Sequence, residues 1–485
     1  MTTPTDPLYG AQWHLARIGD LETVWDHFTG RGVRVVVYDD GVEAAHPDLN
    51  GSYSAAGAFT FGGNSYGSAP TSTLGHGTAV AGLIAAGAFN GTGGVGVAWG
   101  STVAALNFLD EVQAAADPVI FAALRNAAAF DVMNNSWGFT PLFRPEQSLL
   151  DPASQAAAIA AAYADVASAG RGGRGTIIVH SAGNSALNAN GDGMLASRES
   201  LAVAATDRYG NATSYSNWGS NILVSAPDAA VTTDLSGNAG YNASGTADGD
   251  PLADAAYTSV FGGTSAAAPL VSGVVALMLE ANPSLGWRDV HGILALSASH
   301  TGSGLAAGPA NQEIDGWHVA RTGTWNGGGM AFSADYGFGM VNALAAVSLA
   351  EVWTLVNGAA QTSANEVSVS AGWTGAITIP DGGTAVAQAT VPREIEAETV
   401  MVTVTLTHSD ASDLTLTLVA PDGSEFLLMR NDGDPDLMDN GFAWTFSVEG
   451  VRGLGSLGTW TLRVDDGALF DTGTIQGFAM EIFGK

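Results

Sequence analysis

Two patterns of apolar spacing divide the chain. Up to about residue 350, short β-branched runs at 33–38, 176–180, 201–205 and 222–226 alternate with alanine-rich stretches at 79–88, 119–129, 153–169 and 266–281. The runs are apolar at consecutive positions, as strands covered on both faces are, and the alanine stretches are long enough for helices. Buried strands separated by helices predict an α/β fold, a parallel sheet flanked by helices. Glycines cluster at the strand ends, where such folds build their sites. From about residue 353, threonine alternates with apolar residues at 400–407, 414–419, 442–448, 459–464 and 477–483. Pro421-Asp422-Gly423, Asp432-Gly433 and Asp465-Asp466-Gly467 mark turns between these runs. A period of two broken by turn signals predicts an all-β sandwich or jelly roll. The expected units are therefore 1–352 and 353–485. The link over 350–358 is short and apolar (Val352, Trp353, Leu355, Val356). Close packing of the two units follows, with Trp353 as the expected plug of their interface and the β unit stabilising the first without binding substrate.

Composition narrows the picture. Of 485 residues, 46% are hydrophobic and 13% charged, which suits large cores and excludes a disordered chain. No apolar run reaches membrane-spanning length, so no membrane span is expected. Forty-seven acids against 16 bases leave a net charge of −31. Phosphate backbones would be repelled, so no nucleic-acid partner is expected. The acid excess suits solubility in salt and could also serve calcium. There are no cysteines, which excludes disulfides, thiol catalysis and cysteine-ligated zinc. The start, Met1 to Asp6, is polar and shows no signal segment.

Three segments carry reactive side chains. Val35-Val36-Val37-Tyr38-Asp39-Asp40-Gly41 is a strand ending in acids. Gly75-His76-Gly77-Thr78 and Gly262-Gly263-Thr264-Ser265-Ala266 each open a helix. A serine becomes a nucleophile when a histidine takes its proton, and that histidine needs a carboxylate to hold its tautomer. Asp39, His76 and Ser265 supply that set. A fourth segment, Ile177 to Asn184, runs a strand into a Gly-Asn turn, where the Asn184 amide could donate to a developing oxyanion beside the Ser265 N–H.

With these motifs the chain resembles the subtilisin family of serine endopeptidases, and within it the kexin/furin-like branch. The matching segments are Asp39-Asp40-Gly41 with His46-Pro47-Asp48-Leu49, Gly75-His76-Gly77-Thr78 and Gly263-Thr264-Ser265-Ala266. Leu279-Glu280-Ala281-Asn282-Pro283, Trp287-Arg288-Asp289 and Tyr336-Gly337-Phe338-Gly339 are similar to the kexin branch. The tail from about 353 resembles that branch's P-domain, best at Asp413-Leu414, Pro421-Asp422-Gly423 and 458–462. The resemblance implies a subtilisin-like parallel sheet followed by a β-sandwich P-domain. It implies cleavage of protein or peptide substrates through an acyl-enzyme, with Asp39 as carboxylate, His76 as base, Ser265 as nucleophile and Asn184 as oxyanion donor. A broad-specificity secreted protease and a catalytically silent binding protein are the alternatives.

The resemblance also implies a calcium ion held by Asp6, Asp48 and Asn90 with the carbonyls of Gly87, Thr92 and Gly94, oxygen donors of the kind calcium takes. A second kexin-type calcium is not expected, because no acid follows Ser136-Trp137-Gly138 and none stands near Leu187 or Asn217. The acids of 431–436 are expected to form a solvated turn. Asp192 and Asp40 match acids that read basic residues before the scissile bond. A secreted or extracellular location and a pro-segment or external chaperone are further expectations of the resemblance.

Overall fold

A seven-stranded sheet, all of whose strands run the same way, organises the first unit. Its order is Tyr53–Ser54, Thr102–Asn107, Arg34–Asp39, Val132–Asn135, Ile177–Ser181, Ser200–Thr206 and Ile222–Pro227. The computed structural model describes residues 3–237, 239–243, 250–305, 307–319, 330–430 and 441–485. The acidic stretch 431–436 lies outside them. Arg34–Asp39 pairs with Thr102–Asn107 on one side and Val132–Asn135 on the other. Chain order reverses there, so the crevice beyond Asp39 is a topological switch point, the place where open α/β sheets bind ligands.

Alternation along that strand builds two cores. Val35 and Val37 face the helices His76–Ala85, Thr264–Ala281, Trp287–Ser297 and Ala343–Asn357. Val36 and Tyr38 face Asp117–Asn126 and Gln155–Gly173. All four side chains are completely buried, each contributing about 1.5–3 kcal/mol of hydrophobic stabilisation. The expectation that no segment reaches membrane-spanning length needs one correction. Among the described residues, Thr264–Ala281 has the length and hydropathy to cross a bilayer. It is instead the central helix of the first core, buried almost throughout.

The second unit is the expected sandwich, made of two four-stranded antiparallel sheets. One is ordered Val367–Ile379, Gly473–Gly484, Ala397–His408, Phe442–Val448. The other is ordered Thr384–Val391, Gly458–Asp466, Leu414–Val419, Glu425–Met429. Val400, Val402, Val404 and Leu406 point inward while their threonine neighbours lie nearer the surface. Trp444, Trp460 and Phe478 fill the space between the sheets.

The expected boundary at 352/353 falls inside a helix. Ala343–Asn357 is continuous, and its inner face of Ala343, Ala346, Val347, Ala350 and Trp353 packs on the first core. Trp353 donates its Nε1–H to Asp289 Oδ1 at 2.7 Å. It therefore belongs to the first unit and is not the interface plug. The helix periodicity explains the misreading, because Val352, Leu355 and Val356 lie on the outer face and are exposed. The plug is Phe143, whose ring leaves the first unit and joins the sandwich core, 5.2 Å from Trp444 and 5.9 Å from Phe446. Elsewhere Arg288 crosses the interface, donating to Glu398 Oε2 and to the Gly484 carbonyl, each at 2.7 Å.

Candidate functional site

Asp39 ends the strand Arg34–Asp39 and is completely buried. His76 opens the next helix and meets it, Nδ1 to Asp39 Oδ1 at 2.8 Å. Burial opposes a charge on the imidazole, but the charge and hydrogen bond of Asp39, with Asp40 behind it, outweigh burial and hold His76 above its ordinary pKa. Gly77 has no side chain for a steric reason, since a Cβ there would lie 2.3 Å from the Gly41 carbonyl and 2.9 Å from the Asp39 side chain. The edge of Phe261 packs on the His76 ring at 5.2 Å and helps fix its plane.

Ser265 is the second residue of Thr264–Ala281, at the end where backbone N–H groups lack partners within the helix. Pro269 stands four residues on, so it has no N–H to give the Ser265 carbonyl. Ser136 Oγ donates to that carbonyl instead, at 3.1 Å. The exchange is mutual, for Ser265 Oγ donates to the Ser136 carbonyl at 3.2 Å. The Ser265 hydroxyl is thus engaged by the Ser136 carbonyl and not by His76.

Asn184 is exposed in the turn after Ile177–Ser181. Its Oδ1 accepts from both the Thr264 N–H and the Thr264 Oγ, each at 2.9 Å. A backbone N–H can only donate, so the amide orientation is fixed with its NH2 free beside the start of the Ser265 helix. Gly263, at φ +78°, supplies the backbone twist, and a Cβ on it would meet the Asn184 amide nitrogen at 3.0 Å. Ser136 and Thr264 were not singled out as functional from sequence. Only their adjacency to Trp137-Gly138 and to Ser265 could have pointed to them.

The two acids expected to face substrate are placed differently. Asp40 is not open. It accepts from Ser72 Oγ at 2.6 Å, from the His76 N–H at 3.1 Å and from the Gly77 N–H at 2.7 Å. Gly75 gives the His76 helix no capping side chain, and Asp40 fills that role from the neighbouring strand end. Asp40, expected to read a basic residue of the substrate, thus also caps the start of the His76 helix. Asp192 is completely buried. Its oxygens accept from the N–H groups of Phe139 at 3.2 Å and Met194 at 2.9 Å, beneath the Ser136–Trp137–Gly138 segment. Burial raises its carboxyl to about 7, against those backbone hydrogen bonds.

Asp6, Asp48 and Asn90 converge at one corner. Asp6 accepts from the N–H groups of Phe89 and Asn90 at 2.8 and 3.1 Å. Asp48 accepts from Asn90 Nδ2 at 2.8 Å and from the Gly94 N–H at 3.2 Å. Both acids are buried. Burial, with the nearby charge of Asp6 adding to it, raises Asp48 to about 6. Among the described residues no cationic side chain pairs with either. Nor do the carbonyls of Gly87, Thr92 and Gly94 accept a hydrogen bond there, whereas that of Gly93 accepts from the Leu8 N–H at 2.8 Å. Two buried carboxylates, an amide and spare carbonyls around one loop are a donor set that fits a hard cation. Where a second kexin-type calcium is not expected, Asn217 holds the loop itself, accepting from the N–H groups of Ser185 and Leu187, each at 3.0 Å.

Comparison with known proteins agrees with the fold. A model of the subtilase family matches residues 30–339, and one of the proprotein convertase P-domain matches 397–482. Furin from Mus musculus is 30% identical over 497 residues, covering 99% of this chain and 58% of furin. Proprotein convertase subtilisin/kexin type 7 from Homo sapiens is 31% identical over 511 residues, covering 99% of this chain and 60% of that protein. The chain thus spans less than two thirds of these relatives. Among solved structures, a serine protease of Aeromonas sobria superposes with a TM-score of 0.85 at 23% identity, over 100% of this chain and 96% of that one. The same Aeromonas protease was also solved in complex with a chaperone. Site geometry, fold and family match converge: the chain belongs to the subtilase family, with a proprotein convertase P-domain as its second unit.

Proposed function

We propose that this protein is a serine endopeptidase that hydrolyses peptide bonds through a Ser265 acyl-enzyme. The observation that carries the proposal is the 2.8 Å Asp39–His76 bond, set beside a serine at a helix start and an amide locked by Thr264. Asp39 accepts a hydrogen bond from the His76 Nδ1–H, which keeps the proton on Nδ1 and leaves the Nε2 lone pair to act as base. The Ser265 hydroxyl turns from the Ser136 carbonyl to His76 and gives up its proton as Oγ bonds the substrate carbonyl carbon. The electron pair of that carbonyl moves onto its oxygen, and the Asn184 amide and the Ser265 N–H donate to it. His76 then protonates the leaving amine as the C–N bond breaks. Water repeats the sequence and frees the acid. A fluorophosphonate probe tests the reading: it should label the parent protein and not Ser265→Ala. An unlabelled but folded parent would instead favour a silent binding protein of the same fold.

The same reading assigns calcium to Asp6, Asp48 and Asn90, with the carbonyls of Gly87, Thr92 and Gly94. Bound there, a calcium ion would offset the charge of the buried Asp6 and Asp48 carboxylates, and those residues would hold the N-terminal segment to the loop over 87–94. It also assigns Asp192 to a basic side chain just before the scissile bond, since a buried carboxylate is costly until a cation meets it. Arginine can offer two hydrogen bonds where lysine offers a point charge, so arginine is preferred. The commitment of Asp40 to the His76 helix supports a preference short of strict dibasic cleavage, with broad cleavage as the second reading. A peptide library separates them. Action outside the cell, on protein substrates, accompanies this reading. The complex of the Aeromonas protease with its chaperone supports an external chaperone here too, as an alternative to a pro-segment.

A further inference from the structure

The turn that carries Asp192 is held from outside its own unit. Asn190, completely buried, accepts at its carbonyl from Trp444 Nε1 and at its Oδ1 from the Ser447 N–H, each at 2.8 Å. Its amide donates to Ser220 Oγ at 3.0 Å, and that hydroxyl donates to the Ser447 carbonyl at 2.7 Å. Two residues earlier, Asn188 donates to the Leu428 carbonyl at 2.7 Å. Trp444, Ser447 and Leu428 all belong to the β-sandwich.

The stretch between these anchors and Asp192 is stiff. Gly191 N–H bonds the Asn188 carbonyl at 2.9 Å, and Asp192 N–H bonds that of Ala189 at 3.2 Å. A shift of Asn190 is therefore passed on to Asp192. The facing wall is fixed to the same place. Phe143 is seated in the sandwich core, and its N–H donates to the Gly191 carbonyl at 3.2 Å. Phe143 adopts φ +52° to do so, an unfavourable conformation for a bulky residue that must be held by its surroundings. The segment after Ser136-Trp137-Gly138, whose Phe139 N–H donates to Asp192, leads directly into that anchor. Both sides of the Asp192 environment thus converge on Trp444 and its neighbours. Apolar burial alone would stabilise an interface, whereas paired directional donors and acceptors around one turn fix a position.

We propose that the β-sandwich braces the specificity loop: Trp444 and Ser447 hold Asn190 and, through it, set where Asp192 stands beneath the Ser136–Trp137–Gly138 segment. Asn190 and Trp444 are positioning residues. The inference rests on the reading of Asp192 as the acid that meets a substrate base.

Trp444→Phe keeps an aromatic ring, though a smaller one, and removes the donor to Asn190. Glu398→Gln weakens the Arg288 contact, a part of the same interface distant in sequence from the loop, and serves as control. Three quantities are read on full chains: kcat and KM on matched arginine and leucine peptides, melting temperature, and amide exchange at Phe139 and Met194. Trp444→Phe should cut the arginine-over-leucine ratio about tenfold, through KM with kcat little changed, and speed exchange at both amides. Glu398→Gln should lower the melting temperature and leave ratio and exchange within about twofold of the parent. If Trp444→Phe does not fold, Ser220→Ala removes the hydroxyl between Asn190 and Ser447 and is read the same way. An unchanged ratio with unchanged exchange in the brace variant overturns the inference, as does an equal loss of ratio in Glu398→Gln. If the parent shows no arginine preference, the reading of Asp192 fails, and the amide exchange alone then decides the brace.

Discussion

The polar groups at the switch point of the sheet are answered within the chain, while other acids, equally buried, are not. Asp39 has the His76 imidazole, and the exposed Asn184 amide has Thr264. Asp6, Asp48 and Asp192 lie as deep but meet only neutral donors, mostly backbone amides. Amides orient a carboxylate without cancelling its charge, so burial still raises Asp48 to about 6 and Asp192 to about 7. The contrast teaches a division of labour. The chemistry is assembled by the fold, and the places for cations are assembled only up to the cation.

The assembled region should break most sharply. Ser265→Ala should lower kcat/KM by several orders of magnitude, because the nucleophile, base and carboxylate act as a unit. Near-normal turnover in that variant, measured with the parent rigorously excluded, would overturn the assignment. Asn184→Ala should reduce kcat by roughly 100- to 1,000-fold with KM little changed, since its amide donates mainly to charge that develops in the transition state. A rise in KM at constant kcat would make Asn184 a substrate-binding group instead.

The calcium corner tests the other half of the contrast. A ligand that binds only the folded state stabilises it as the logarithm of its concentration. Excess chelator should therefore lower the melting temperature and open the first residues to proteolysis, and calcium should restore both. The ion also competes with a proton at Asp48, so its affinity should fall as pH drops below about 6. A melting curve indifferent to chelator, with no metal in elemental analysis, would remove the ion from this corner.

Much of this was legible in the sequence, and the exceptions have physical causes. The motif residues Asp39 and His76 meet, and Asn184 meets the residue before Ser265, because strand ends and helix starts in a parallel sheet gather at one edge. Three strands of that sheet were not read: the two-residue Tyr53–Ser54, Thr102–Asn107, which carries two alanines, and Val132–Asn135, which carries two asparagines. Their neighbours in the sheet make them strands, against local propensity. In the sandwich, the five-residue Glu425–Met429 was missed, as were Val367–Ile379 and Thr384–Val391, where small residues occupy many positions although Ala385, Ala387 and Ala389 keep the alternation. Asp40 illustrates a different limit. Its spacing from Asp39 places it at the strand end, but only the structure brings the uncapped helix start of His76 within its reach. The interface escaped for a similar reason, since nothing local marks Phe143 as bound for a core in another unit.

Asp192 offers the finest test, because one substitution should move two quantities in opposite directions. Burial raises its carboxyl from 3.8 to about 7. Between those values the unfolded chain releases the proton and the folded chain keeps it. Stability present at low pH is therefore lost as pH rises through that window, and the loss is complete above about 7. Asp192→Asn removes the titrating group and should leave the protein with a higher melting temperature than the parent at pH 8, and about the same one near pH 4. Cleavage should respond the other way. The charged carboxylate is the form that meets arginine, so the parent's preference for arginine over leucine should climb between pH 6 and pH 8. Because kcat/KM reports the free enzyme, the midpoint of that climb should lie near 7. In Asp192→Asn the preference should fall at least about tenfold at pH 8, or ~1.4 kcal/mol, and its pH dependence should flatten. His76 also titrates on the acid side, but it acts equally on both peptides and cancels in their ratio. A variant that keeps the arginine preference while gaining stability would leave Asp192 a buried acid of structural consequence only.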